Sequence, residues 1–367
     1  MSAGPTTTTT TTKTGPMTIV APSRPRPTCP KHRFIRYTLP GGTEERQPRV
    51  GLLLAEGGDE IYSPSFTRRR AVDGDESPTT STSSSVTTIP TTMSACMELY
   101  TDDAWTMTRE RSGALLRNAA LLSPVDADAK IACVGKNYLE HVGEVDSTMP
   151  GISREAVPEL PIVFPKASTS AVGYGAAVDV AGRTDVDYEG ELCVVIGRET
   201  KNIPENMSEE DIIATYVGGW TIANDVTARV LQKSHQQWFL GKSCDTFCPL
   251  GPWIVGAAKR PTSGDDDDDD DEGGFVLGSQ RLTTKVNGEI RQDSTIDKMI
   301  FSVARLVAVT SRHQTLRPGD VFLTGTPSGV GAGCKPAPKF LRDGDVVEIE
   351  IEGIGALVNP IVDSSLV

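Results

Sequence analysis

The stretch VDYEGELCVVIGR, Val186 to Arg198, decides how the rest of the chain is read. Glu189 and Glu191 stand at the entrance to an apolar run. In an extended chain residues i and i+2 point to the same face, so this spacing aims two carboxylates at one spot. Like charges held that close are unfavourable unless a cation lies between them. Two readings stay open on this stretch alone: a metal held by the pair, or a strand with one solvated acidic face. Asp185 and Asp187 continue the alternation and favour the second reading.

Working outward, GGWTIANDVTARVLQ contains a strand ending near Asp225, where an unpaired charge closing an apolar strand is costly. Three carboxylates would supply hard oxygen ligands for Mg²⁺ or Mn²⁺ and leave positions open for water and substrate. The alternative for Asp225 is a helix N-cap. In the other direction, KIACVGKNYLEHVGEV begins as a strand, turns at Gly135, and then sets His141 and Glu144 three apart, on one face of a helix. Either His141 has an ordinary core or surface role, or the pair is a dyad in which the carboxylate orients the imidazole and raises its basicity. Lys242 lies in QWFLGKSCDTFCPLGPWIV, a dense aromatic, Gly and Pro context that reads as a functional connection and favours burial over the usual surface lysine.

Composition narrows the classes of function. The 367-residue chain has room for one large catalytic unit and a smaller one. No apolar run approaches the roughly 18 residues of a membrane helix. Of the formal charge of −13, eight negative charges fall in Asp265 to Glu272, so the remainder carries −5, a balance that argues against nucleic acid as a partner. The seven cysteines are scattered and form no Cys-x-x-Cys pair, which indicates a reducing intracellular compartment rather than a disulfide framework or a zinc site. No acidic residue precedes Glu44, while Lys13, Arg24, Arg26, Lys31, Arg33 and Arg36 are basic. That is compatible with a mitochondrial transit segment or with a simple low-complexity tail, so mitochondrial and cytoplasmic locations both stand.

The expected organisation is a Thr/Pro-rich disordered tail over 1–30, then a small β-containing domain over 31–123 with a Ser/Thr-rich insert at 63–92. A catalytic domain follows over 124–367, with a solvated acidic loop at 262–274. RSGALLRNAALLSPVD reads as a helix or linker ending at Pro124. Ser208 to Asp211 and Ser294 to Asp297 read as capping boxes, the second opening an amphipathic helix through Met299, Ile300, Val303, Leu306 and Val307. The closing TLRPGDVFLTGTPSGVG and GDVVEIEIEGIGALVNPIV read as turns feeding alternating strands. Gly241, Lys242 and Ser243 do not make a P-loop, because Gln236 stands where its first Gly is required.

Across roughly residues 130 to 362 the sequence resembles the fumarylacetoacetate hydrolase family, at KIACVGKNYLEH, VDYEGELCVVIG, ANDVTAR, GKSCDTFCPLGP and LTGTPSGVG. The resemblance implies a mixed, predominantly β fold with a β-roll catalytic domain and a few helices, usually as a homodimer. It implies a metal, Mg²⁺ or Mn²⁺, on Glu189, Glu191 and Asp225, and His141 with Glu144 as a proton-transfer dyad on a lid segment. Lys242, Arg229 and Gln232 would surround the substrate, and Tyr138 and Thr326 match positions that line the pocket. Val230 departs from the Asp that commonly follows the Arg. The implied reaction forms an enol or enolate from a small 2-oxo or diketo acid. DTFCPLGP and the closing KPAPKFLRDGDVVEIEIEGIG look most similar to the branch associated with oxaloacetate tautomerase activity. Carbon–carbon hydrolysis of acylpyruvates or fumarylacetoacetate is the alternative, and a catalytically idle binding or scaffold relative is a third reading.

Overall fold

Three strands hold the centre of the molecule: Gly190–Ile196, Val217–Asn224 and Cys248–Gly256, buried along their whole lengths. Side chains alternate across a strand, so Leu192, Val194 and Ile196 enter one apolar cluster while Cys193 and Val195 enter another on the opposite face. Trp220 and Ile222 join the first cluster and Ala223 the second. With both faces covered, a solvated acidic face is excluded: Glu189 and Glu191 are 5% and 1% exposed.

The structure is a computed structural model that describes residues 32–39, 48–54, 60–68, 87–88, 90–101, 105–116, 119–148, 157–258 and 274–366. The Thr/Pro-rich tail, most of the Ser/Thr-rich insert and the acidic run at 265–272 lie outside the described residues. The main sheet runs in the order Thr87–Thr88, Glu60–Arg68, Arg49–Leu54, His32–Thr38, Cys248–Gly256, Val217–Asn224, Gly190–Ile196, Val321–Leu323, Ile131–Gly135, Ile162–Lys166. Along that path only Val321–Leu323 and Ile131–Gly135 run parallel. The early strands join the later ones where His32–Thr38 pairs with Cys248–Gly256. A second sheet is ordered Val178–Asp179, Gly355–Val362, Val346–Ile351, Arg281–Val286, Glu289–Thr295. Its Leu282, Val347, Ile349 and Leu357 share a cluster with Leu192 and Val194, so the two sheets close over one core. This is the mixed, predominantly β architecture expected of the sequence.

Two local readings are corrected and one helix is added. Arg111 to Leu115 is neither helix nor linker but the end of the strand Trp105–Leu115, held by its partner Glu60–Arg68, which itself runs on past Ser63. Pairing across the chain overrides the local apolar spacing. A short helix that sequence reading missed, Met93–Thr101, buries Met93, Cys96, Met97 and Tyr100, and Asp126 Oδ2 accepts the Ser94 N–H at its start, 2.8 Å. Ser294 caps no helix: it lies in Glu289–Thr295, and the helix Val303–Ser311 starts at Ser302, whose hydroxyl accepts the Arg305 N–H. The backbone between is otherwise engaged, with Met299 bridging to Tyr138 and the Ile300 N–H donating to Asn137 O at 2.8 Å. Ser208 does cap its helix, accepting from the Asp211 N–H.

Candidate active site

Adjacent strands end side by side and bring the acids together. Gly190 pairs with Asn224; the Asp225 N–H donates to Glu189 O at 2.9 Å, and the Glu189 N–H donates to Asn224 Oδ1 at 3.0 Å. Glu191 projects from the same face one pleat further in. Glu189, Glu191 and Asp225, all buried, each offer an oxygen within 4.8 Å of the others.

Three buried cations balance part of this charge. Lys242 Nζ bridges Glu189 Oε2 and Asp225 Oδ2, 2.7 Å from each. Arg229 Nη1 lies 2.8 Å from Glu189 Oε1, and Lys166 Nζ lies 2.6 Å from Asp225 Oδ1 while also donating to Val226 O. Burial works to raise the Glu189 carboxyl, but Lys242 and Arg229 prevail and hold it at about 2. Burial works to lower the Lys242 ammonium, yet Asp225 and Glu189 push it up. Glu191 is different. Among the described residues no cation pairs with it; its Oε2 accepts the Gly325 N–H at 2.6 Å, and burial together with the charges of Asp225 and Glu189 holds its carboxyl well above the ordinary glutamate value.

The loop after Val321–Leu323 is laced to the acidic strand almost residue by residue. The Thr324 N–H donates to Leu192 O, and Thr326 Oγ1 donates to Gly190 O at 2.9 Å. Tyr188 Oη donates to Gly329 O at 2.9 Å, and Asp187 accepts the Gly331 and Ala332 N–H groups at 2.6 and 3.0 Å. Gln292, 1% exposed, accepts the Gly190 N–H and donates to Thr326 Oγ1 and Pro327 O. Gly329 has φ 104°, a backbone conformation suited to glycine.

That loop also supports the dyad. His141 and Glu144 lie on the helix Leu139–Thr148, with His141 Nδ1 3.4 Å from Glu144 Oε2. The Gly329 N–H lies 3.1 and 3.0 Å from the two Glu144 oxygens. His141 is buried. Tyr138, at the start of this helix, is 1% exposed and its hydroxyl has no hydrogen-bond partner among the described residues. Its phenol is pushed up by burial and by Glu191. Asn137 pins this segment, with Nδ2 donating to Thr324 O and Phe301 O and Oδ1 accepting the Phe301 N–H.

The structure brings Glu189, Glu191, Asp225, Lys242 and Arg229 into one group, reaches Gln232 through Arg229, and ties Glu144 to that group through the loop carrying Gly329, with two further details. Thr326 spends its only O–H on Gly190 O, and Arg229 is shared among Asp187, Glu189 and Gln232 Oε1. Asp185 and Asp187 serve the frame instead of the acid cluster: Asp185 accepts the Val230 N–H, and Asp187 holds Arg229. Sequence reading missed Lys166, Gln292 and Asn137. A lysine ending the strand Ile162–Lys166 was the one available signal, since a buried lysine needs a partner. The cluster fits a divalent cation: its donors are hard oxygens, and Glu191 is the carboxylate left without a cation of its own.

Comparison with known proteins places these observations. Residues 130–362 match the fumarylacetoacetate (FAA) hydrolase C-terminal family. The chain is 41% identical over 251 residues to oxaloacetate tautomerase YisK of Bacillus subtilis, covering 67% of this chain and 74% of that protein. It is 40% identical over 248 residues to the mitochondrial oxaloacetate tautomerase fahd2 of Xenopus laevis, covering 67% and 69%. The solved fumarylacetoacetate hydrolase of Exiguobacterium antarcticum superposes with a TM-score of 0.62 at 30% identity, over 90% of this chain and 99% of that one.

Proposed function

This chain belongs to the fumarylacetoacetate hydrolase family, and from that premise we propose that it is a divalent-metal-dependent keto–enol tautomerase acting on oxaloacetate or a similar small 2-oxo acid. The observation that carries the reading is the cluster of three buried carboxylates bridged by a buried lysine, with a His–Glu pair held by the loop that is bonded to the same acidic strand. The tautomerase choice within the family is supported by the two relatives of about 40% identity that carry that name.

Glu189, Glu191 and Asp225 would hold Mg²⁺ or Mn²⁺, which supplies Lewis-acid polarisation of the 2-oxo group. Glu144, fixed by the Gly329 N–H, orients His141 through Nδ1 and leaves Nε2 to move the proton between the substrate carbon next to the 2-oxo group and the enol oxygen. Lys242 presents positive charge where negative charge develops on the substrate oxygen. The buried Tyr138 hydroxyl, without a hydrogen-bond partner among the described residues, and Gln232 face the substrate in this reading, while Arg229 and Thr326 line the site through the contacts they already make. If the dyad instead activates water, the same site performs carbon–carbon hydrolysis.

A panel of oxaloacetate, acetylpyruvate and fumarylacetoacetate, with Mg²⁺ or Mn²⁺ and with chelator, tests this reading. Enol decay without fragmentation supports the tautomerase, and release of pyruvate and acetate supports the hydrolase. Turnover that survives complete metal removal, or that survives in Glu191→Ala, overturns the proposed metal site.

The protein acts as a homodimer in this reading. Val163, Val230, Phe239 and Leu240 expose apolar side chains on elements that contact one another, a surface suited to a second copy. Among the described residues no helix is long and apolar enough to cross a membrane. An intracellular location, mitochondrial or cytoplasmic, is the proposed setting, and the mitochondrial relative supports the first.

A further inference from the structure

We infer that Asp187 is a positioning residue that ties the proton-transfer dyad to the acid cluster. The inference rests on the reading of His141 and Glu144 as that dyad. Asp187 is 0% exposed and carries no role as a ligand, yet it is among the most heavily bonded side chains near the site. Its Oδ1 accepts the Gly331 N–H at 2.6 Å and the Tyr188 N–H at 2.9 Å. Its Oδ2 accepts the Ala332 N–H at 3.0 Å and Arg229 Nε at 2.8 Å, with Arg229 Nη2 2.7 Å away. Arg229 in turn reaches Glu189 at 2.8 Å.

Two paths leave this one carboxylate. Through the guanidinium it reaches Glu189, which Lys242 Nζ also holds at 2.7 Å, so the metal ligand keeps its seat without this path. Through the backbone of Gly331 and Ala332 it fixes the loop whose Gly329 N–H holds both Glu144 oxygens. The neighbouring Tyr188 hydroxyl grips the same loop at Gly329 O. Asp187 and Tyr188 thus clamp the dyad's support immediately before the chain delivers Glu189 and Glu191 to the cluster. A carboxylate suits this place because it accepts four N–H groups at once, which an amide cannot do. Without the clamp, Glu144 and His141 would move relative to the carboxylates, and a displacement near 1 Å costs on the order of 100-fold in rate.

The test compares Asp187→Asn, Glu144→Gln and the double variant in the full-length protein. Metal binding is read by Mn²⁺ titration with electron paramagnetic resonance, and turnover of oxaloacetate enol by steady-state kinetics. Asp187→Asn should lower kcat roughly 10- to 100-fold with KM and Mn²⁺ affinity within a few-fold of wild type. In the Glu144→Gln background the same change should cost little more, because both variants disable one unit. Tyr188→Phe, which removes only the hydroxyl grip, should lower kcat in the same direction by roughly 3- to 10-fold and keeps the test open should Asp187→Asn fail to fold. Full kcat in both Asp187→Asn and Tyr188→Phe, or multiplicative losses in the double variant, overturns the inference. A wild-type protein without enol turnover or Mn²⁺ binding overturns the functional reading instead, so the two failures are told apart.

Discussion

At the scale of single residues, the unusual member of the cluster is Glu191. Glu189 and Asp225 each meet cationic side chains, whereas Glu191 meets a backbone N–H and two like charges. Its carboxyl is held above the ordinary value of 4.5, by burial first and then by Asp225 and Glu189. In metal-free protein the folded state therefore keeps a proton that the unfolded chain has already released. Stability falls as pH rises above 4.5 toward the folded pKa. Glu189 has the opposite sign: its carboxyl is held at about 2, so its contribution is present above 4.5 and is lost as pH falls toward 2. Chelator-treated wild type should show a lower urea midpoint at about pH 8 than at about pH 5. Glu191→Gln should flatten that decline, and saturating Mg²⁺ should abolish it in the wild type alone. An unchanged decline in Glu191→Gln would assign the effect to another group.

At the scale of elements, the paired glutamates, Asp225 and the His141–Glu144 spacing were legible because each depends on local periodicity. The strand ending at Asn224 and the helix Leu139–Thr148 are where that periodicity puts them. Gln292 and Lys166 were not legible. Each matters through partners far along the chain, Gly190 and Thr326 for the first and Asp225 for the second, and no local pattern encodes such a pairing. The loop at 324–333 was readable as a motif but not as a support for the dyad. Gly333 tests that role, because a Cβ placed there would lie 2.1 Å from Glu144 Oε1. Gly333→Ala should push Glu144 off its seat, lowering kcat on the order of 10- to 100-fold while Mn²⁺ affinity holds. Equal losses in metal affinity and kcat would mean that the loop supports the whole site and not the dyad in particular.

At the scale of the whole molecule, the sheet that carries the site also joins distant parts of the chain, since His32–Thr38 pairs with Cys248–Gly256. The apolar surface at Val230, Phe239 and Leu240 gives the proposed homodimer a direct test. Leu240→Asp, at a side chain 51% exposed, should shift sedimentation toward monomer without lowering the melting temperature appreciably. An unchanged sedimentation coefficient would place any dimer contact elsewhere.

The acidic run poses the remaining question at this scale, because it holds eight of the negative charges behind the net −13. Its own residues lie outside the described structure, but the described chain on either side is informative. Ala257 bridges to Phe275, the Phe275 N–H donates to Gly256 O at 2.9 Å, and the Ala258 N–H donates to Phe275 O at 3.3 Å. A Cβ on Gly274 would lie 2.4 Å from the Ala258 backbone, so the two ends are already in contact. Closing such a gap with a short linker costs little, since loop-closure entropy changes by only about 0.6 kcal/mol per doubling of length. Replacing residues 265–272 with a short Gly-Ser linker should therefore leave kcat and KM within about twofold and the melting temperature nearly unchanged. The variant should elute markedly earlier from an anion exchanger. Loss of turnover with the fold intact would show that the charge run acts on the active site.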